Sequence, residues 1–251
     1  MCFDRDSLPP VPVIRGAAVS HEELVLDAAD GNRLAAFLAV PDDPNAAGVV
    51  VLPDVRGLYR FYEELALRFA ERGYTALAFD YFGRTAGVGT RGDDFDYPEH
   101  VRLLTSGQIK EDVAAAVAEL RRRGAKTVFT VGFCLGGRHS WLAAADGHGL
   151  AGAVGFYGRP GVSRDGEPGP EQRAFEITAP ILGLMGGADQ AITPHDVDAF
   201  DRALDAAGVE HELVLYDGAP HSFFDRKQEE FAEASDNAWK RTLGFIDAYR
   251  W

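Results

Sequence analysis

The stretch Thr127-Val128-Phe129-Thr130-Val131-Gly132-Phe133-Cys134-Leu135-Gly136-Gly137 limits the possible folds more than any other part of this chain. Thr127–Phe133 has the character of a strand, and Gly136–Ala145 reads as a short helix. Between them the chain has room only for a sharp turn centred on Cys134. Gly132 and Gly136 flank that turn, where a Cβ would collide with the tight backbone. A strand that breaks straight into a helix belongs to a parallel sheet with helices packed on it.

The rest of the chain repeats this alternation. Gly48–Pro53 is a continuous apolar run, as expected of a strand buried on both faces. Further strands are expected at Tyr74–Phe79, Ala151–Tyr157, Ile181–Met185 and Glu210–Tyr216. Helices are expected at Phe61–Arg72, Gln108–Arg123, Pro194–Ala207 and roughly Gln228–Tyr249. Glu22–Asp27 and Leu34–Val40 flank Asp30-Gly31-Asn32 and read as a hairpin that adds antiparallel strands at one edge. Residues 1–20, with Pro9, Pro10 and Pro12, form an irregular lead-in to one α/β domain spanning 21–251. Gly83–Glu99 and Gly158–Arg173 lack periodicity, and long loops of this kind often carry function.

Charge narrows the function classes. The net charge of −14 repels phosphate backbones, which argues against a nucleic-acid partner. No apolar run is long enough to span a bilayer, and the acidic start does not resemble a secretory signal, so no membrane partner and a cytoplasmic location are expected. No Cys/His spacing suggests a metal site.

Three strand ends carry reactive side chains. The turn presents Cys134 at the N-terminus of a helix, whose positive end favours thiolate. The strand Ile181–Met185 leads into Gly186-Gly187-Ala188-Asp189, and the last strand leads into Asp217-Gly218-Ala219-Pro220-His221. Nucleophile, acid and histidine in that order match the G-x-S-x-G elbow pattern with cysteine in place of serine. The Leu135 amide would be one oxyanion donor. Competing assignments exist. Cys134 could be a small buried apolar residue, and His221 a surface residue. Of the other histidines, His139 lies in the helix after the elbow and His195 starts a helix close to Asp189. Asp196 and Asp217 read as cap and turn residues.

With these residues in place, the chain resembles the dienelactone hydrolases (carboxymethylenebutenolidases). The resemblance runs from about Leu24 to the last helix. It is carried by Val51-Leu52-Pro53-Asp54-Val55-Arg56-Gly57, Gly73-Tyr74, Phe79-Asp80-Tyr81-Phe82, Gly132–Gly137, Gly186–Asp189 and His221-Ser222-Phe223. It implies an α/β-hydrolase fold and hydrolysis of a small lactone or ester, carboxylate-bearing, through a Cys134–His221–Asp189 triad and a thioester. It also implies an oxyanion hole from the Val55 and Leu135 amides, no cofactor, and a monomer or small homo-oligomer. Family members carry an acid, typically Glu, in the loop after the first central strand, where it meets the resting thiol; here the position holds Asp54, one methylene shorter. Arg84 matches an arginine that binds the substrate carboxylate. A second such arginine has its counterpart in Arg226, displaced by one position. Arg56, Tyr59, Arg60 and Tyr62 crowd the loop after Pro53, where they either shape a different acyl pocket or simply cover the start of a helix. Two other readings stay open: a ligand-binding protein with an unreactive cysteine, and a redox-responsive protein in which Cys2 resolves an oxidised Cys134.

Overall fold

The computed structural model describes residues 4, 6–17, 19–92, 94–163 and 166–251. Eight strands form one sheet in the order β1-β2-β4-β3-β5-β6-β7-β8. The hairpin of β1 (Val19–Asp27) and β2 (Arg33–Pro41) joins the edge, with β2 antiparallel to β4 (Thr75–Phe79). From β4 onward the ladder is parallel, through β3 (Ala47–Leu52), β5 (Thr127–Phe133), β6 (Gly152–Phe156), β7 (Ile181–Gly186) and β8 (His211–Tyr216). The α/β architecture read from the alternation is the one observed.

Side-chain alternation builds the core on both faces. Val49 and Val51 point to one side of β3, where α1 (Arg60–Ala70) lays down Phe61, Leu65 and Phe69, and α7 (Ala232–Tyr249) adds Trp239 and Ile246. Val50 and Leu52 point to the other side, against Ile109, Val113, Val117 and Leu120 of α4 (Ser106–Arg122). Further along that side lie α5 (Leu135–Ala145) and α6 (Pro194–Ala207), joined by Trp141, Phe200 and Leu204. Each of these enclosed side chains contributes about 1.5–3 kcal/mol. Among the described residues no helix is long and apolar enough to cross a membrane.

Helix ends follow local chemistry. The helix expected from Gln108 starts at Ser106, because Thr105 and Gln108 form a capping box. The last helix begins at Ala232, after a 3-10 turn at Glu229–Phe231. The expected loop 83–99 contains two short helices, α2 (Gly83–Ala86) and α3 (Tyr97–Val101). The N-terminal lead-in is anchored. Ser7 Oγ donates to Asp225 Oδ2 at 2.7 Å with both groups buried, and the Leu8 carbonyl accepts from the Arg226 amide.

Arg84 opens α2 and faces the hairpin turn. Its Nε and Nη2 donate to Asp30 Oδ2, and Nη1 and Nη2 to the two oxygens of Asp112 at 2.7 and 2.9 Å. A further bond reaches the Gln108 carbonyl, and Asn32 Nδ2 also donates to Asp112. Asp112 is fully buried. Burial pushes its carboxyl upward, while Arg84 and Asn32 pull it down. The guanidinium expected to bind a substrate carboxylate instead ties the β1–β2 turn to α4.

Arg84→Met should therefore lower stability by about 3–5 kcal/mol, because it leaves Asp112 buried without its cation. Adding Asp112→Leu should recover most of the loss. Urea denaturation of the three proteins checks this. An Arg84→Met protein as stable as the parent would show that the staple carries no weight.

Candidate active site

Cys134 sits between β5 and α5 with φ 53° and ψ −109°, a conformation that costs a non-glycine residue about 1–3 kcal/mol. The neighbouring backbone enforces it. The Cys134 amide donates to the Phe156 carbonyl at 3.0 Å, and the Cys134 carbonyl accepts from the Arg138 amide at 3.2 Å. A Cβ on Gly132 would stand 1.9 Å from the Gly136 carbonyl oxygen, and one on Gly136 would stand 2.1 Å from that of Leu52. Only glycines let α5 start this close to β3 and β5. The thiol remains partly exposed.

The partners arrive on β7 and β8, whose carboxyl ends lie at the same edge of the sheet. His221 Nδ1 is 2.6 Å from Asp189 Oδ2. Asp189 Oδ1 accepts from the amides of Ala191 and Ile192 at 2.8 and 3.2 Å, which fixes the carboxylate. Burial raises its carboxyl, but the hydrogen bond and charge of His221 and the two amides outweigh burial and leave it below the usual range. Asp196 caps α6 through Thr193, as read from the sequence. His195 is exposed, and His211 pairs with Asp201 on the far side of β8 from this site's loop.

The amides of Val55 and Leu135 donate to no protein acceptor among the described residues. Leu135 is the first residue of α5, where the amide has no intrahelical partner. Val55 follows Pro53-Asp54 at the end of β3, and the Leu52 and Pro53 carbonyls pack on the Gly136 backbone. The turn after β3 and the first turn of α5 thus meet.

Asp54 is fully buried, and its carboxylate has partners. Oδ1 accepts from the Arg56 amide at 2.8 Å, and Oδ2 accepts from Arg56 Nη2 at 2.9 Å and Tyr59 hydroxyl at 3.2 Å. Arg56 also stacks on the Tyr59 ring, 4.4 Å from its centroid. This network holds Asp54 with Arg56, where the resemblance led to a contact with the resting thiol. Arg226 is exposed on the loop after His221. Cys2 lies outside the described residues, so the proposed resolving cysteine has no structural counterpart to assess.

Tyr59 and Tyr62 stand where the sequence reading put them, in the loop after β3, but that reading gave no role to Tyr81 or Tyr157. Tyr157, at φ 39°, is fully buried, with its ring centroid 4.9 Å from that of His221. Tyr62 hydroxyl accepts from the Asp54 amide, and Tyr81 hydroxyl donates to the Pro53 carbonyl. Burial, then the carboxylates of Asp54, Asp112 and Asp80, push the Tyr81 hydroxyl well above its usual range and keep it protonated. Tyr59 completes the group beside Arg56. Tyr157 directly follows β6, so the rule that ligands gather at carboxyl strand ends could have found it.

Comparison with known proteins agrees with this geometry. Residues 34–250 match the model of the Dienelactone hydrolase family. A Methylorubrum extorquens protein provisionally named carboxymethylenebutenolidase is 33% identical over 208 residues, covering 80% of this chain and 72% of that protein. A carboxymethylenebutenolidase of Rhodococcus opacus is 28% identical over 260 residues, 99% of this chain and 97% of its own. A crystal structure from Klebsiella pneumoniae, provisionally named a dienelactone hydrolase, superposes with a TM-score of 0.81 at 29% identity, over 92% of this chain and all of that one.

The site's acid behaviour contains a separable contribution from His139, which α5 buries beside Arg138. Burial, with the Arg138 charge second, depresses its pKa to about 3. The unfolded chain takes up this proton near the ordinary value of 6.5 and the folded chain only near 3. Stability should therefore fall on acidification between those limits, by up to ~1.4 kcal/mol per pH unit. Asp189, being depressed, stabilises above its unfolded value near 3.8 and loses that contribution only below it. Urea midpoints between pH 7.5 and 4.5 should decline less in His139→Gln than in the parent. Parallel declines would remove His139 as the cause.

Proposed function

Because the chain belongs to the dienelactone hydrolase family, we propose that it hydrolyses a lactone or small ester through Cys134, with His221 as base and Asp189 orienting that base. The observation that supports this most directly is the 2.6 Å contact between His221 Nδ1 and Asp189 Oδ2, at the sheet edge where β5 ends in Cys134. With Nδ1 committed to Asp189, Nε2 is the atom that takes and returns the proton.

The thiolate sulfur attacks the substrate carbonyl, and the electron pair moves onto the carbonyl oxygen, between the amides of Val55 and Leu135. The intermediate collapses to a thioester. The alkoxide leaves with a proton from the His221 imidazolium; in a lactone it remains attached to the acyl chain. Neutral His221 then removes a proton from water, the hydroxide adds to the thioester, and the Cys134 thiolate departs with the carboxylic acid as product. Water is the only co-reactant. Tyr62, Tyr81 and Tyr157 are fully buried and brace the loop after β3 and the His221 ring, which leaves the partly exposed Tyr59 to meet the acyl group.

The expected preference for a carboxylate-bearing substrate loses much of its basis. Arg84 is paired with Asp30 and Asp112, and Arg56 with Asp54. Arg226 is the remaining candidate from the sequence. An exposed ion pair is worth about 0–1 kcal/mol, roughly fivefold at most.

Two measurements test the proposal. With p-nitrophenyl acetate, Cys134→Ala and His221→Ala should each lose about 10³-fold or more in kcat/KM. The parent should carry an acetyl group on Cys134 during turnover, visible by intact-protein mass spectrometry. Equal slow hydrolysis by all three proteins would end the thiol mechanism. Separately, kcat/KM for the p-nitrophenyl monoester of succinic acid should lie within about fivefold of that for the acetate. A preference of a hundredfold, lost in Arg226→Ala, would restore a strong carboxylate clamp.

A further inference from the structure

The loop that carries Val55 is gripped from behind by one buried carboxylate. Asp80 follows β4, next to β3 in the sheet, and is fully buried. Its Oδ1 accepts from the Leu58 amide at 3.1 Å. Its Oδ2 accepts from the Phe82 amide at 2.8 Å and from Arg91 Nε and Nη2 at 3.1 and 2.8 Å. Arg91 is itself almost enclosed, stacks over Phe95 at 4.8 Å and donates from Nη2 to the Gly87 carbonyl. Its backbone amide donates to the Leu58 carbonyl at 3.2 Å.

Leu58 is therefore held on both sides of its backbone, by Asp80 at N–H and by Arg91 at C=O. The contact leaves no slack. Gly57 has φ 79°, and a Cβ there would stand 2.4 Å from Asp80 Oδ1 and 2.9 Å from the Phe82 ring. At the near end of the turn, the Gly57 amide donates to the Asp54 carbonyl, and the Asp54 amide to Tyr62 hydroxyl. Val55 lies between these two anchored ends. The direction of its N–H follows from them, because a short turn with both ends fixed has few remaining dihedral choices.

We propose that the Asp80–Arg91 pair is the positioning device of the oxyanion loop: it does not touch substrate, but it aims the Val55 amide at the oxygen that becomes negative. This rests on the hydrolytic reading of Cys134 and adds to it the residues that make the second oxyanion donor effective. Donor placement matters steeply in such sites. Loss of one donor costs about 10²–10³-fold, and a displacement of an ångström about 10²-fold.

Arg91→Ala and Arg91→Lys, together with the double variant Asp80→Asn/Arg91→Gln, separate positioning from folding, since the double variant leaves no unpaired buried ion. Each is compared with the parent in p-nitrophenyl acetate hydrolysis and in alkylation of Cys134 by iodoacetamide. Alkylation is a displacement at saturated carbon and develops no oxyanion. In Arg91→Ala and the double variant, kcat should fall about 10- to 100-fold, with KM changed by less than about threefold and the alkylation rate unchanged. Arg91→Lys should recover part of kcat. Unchanged kcat in Arg91→Ala, or kcat and alkylation falling together, overturns the positioning role. A parent protein that is alkylated but does not hydrolyse esters defeats the hydrolase reading itself, and is recognised because the failure appears before any substitution.

Discussion

The structure depends on one close approach: the first turn of α5 pressed against the carbonyls at the end of β3 and the Gly132 backbone of β5. Gly136 lies where any side chain would strike the Leu52 carbonyl, and Gly132 where it would strike Gly136. That contact forces Cys134 into its positive φ and brings the helix N-terminus against the loop after β3. On the proposed mechanism it also sets the Leu135 and Val55 amides beside the sulfur. The strain is local, about 1–3 kcal/mol, and two large buried clusters on either face of the sheet can bear it. A mobile turn could not hold the sulfur and two amides in register, so the tight packing is the condition for the chemistry.

The buried guanidiniums show how the same residue type serves different ends. Arg84 spends its donors on Asp30, Asp112 and the Gln108 carbonyl. Arg138, four residues past the thiol, spends its donors on the carbonyls of Arg159, Gly161, Glu167 and Pro168, and so fastens the loop after β6. Arg91 holds Asp80. An arginine fixed by several planar bonds is a rigid strut, and its charge is no longer available to a ligand unless the ligand outcompetes those partners. Each of these arginines follows the carboxyl end of a strand, so position along the chain could not tell a strut from a clamp.

The legibility of the sequence followed the range of the interactions involved. Strand–helix alternation, the elbow and the strand-end locations of Asp189 and His221 depend on patterns a few residues long, and these were readable. The hairpin begins three residues earlier than expected, and α4 two residues earlier, where the Thr105–Gln108 capping box starts it. The parts that could not be read join distant segments. Asp30 and Asp112 are brought to Arg84 from the hairpin and α4. Ser7 reaches Asp225 across most of the chain. In each case the identity of the partner, rather than of the residue, decides the role.

That distinction bears on what selects a substrate here. Two carboxylates in the loops after β3 and β4 are paired with cations, Asp54 with Arg56 and Asp80 with Arg91, and Asp189 is held by His221. On the proposed mechanism, what acts on the reacting carbonyl is dipolar, two backbone amides and the end of α5. Dipoles of this kind act on charge that appears during the reaction and little on charge the substrate already carries. On that reading the site gains its rate at the oxyanion. The precision of the loop around Val55 then matters more than any single cation in the pocket.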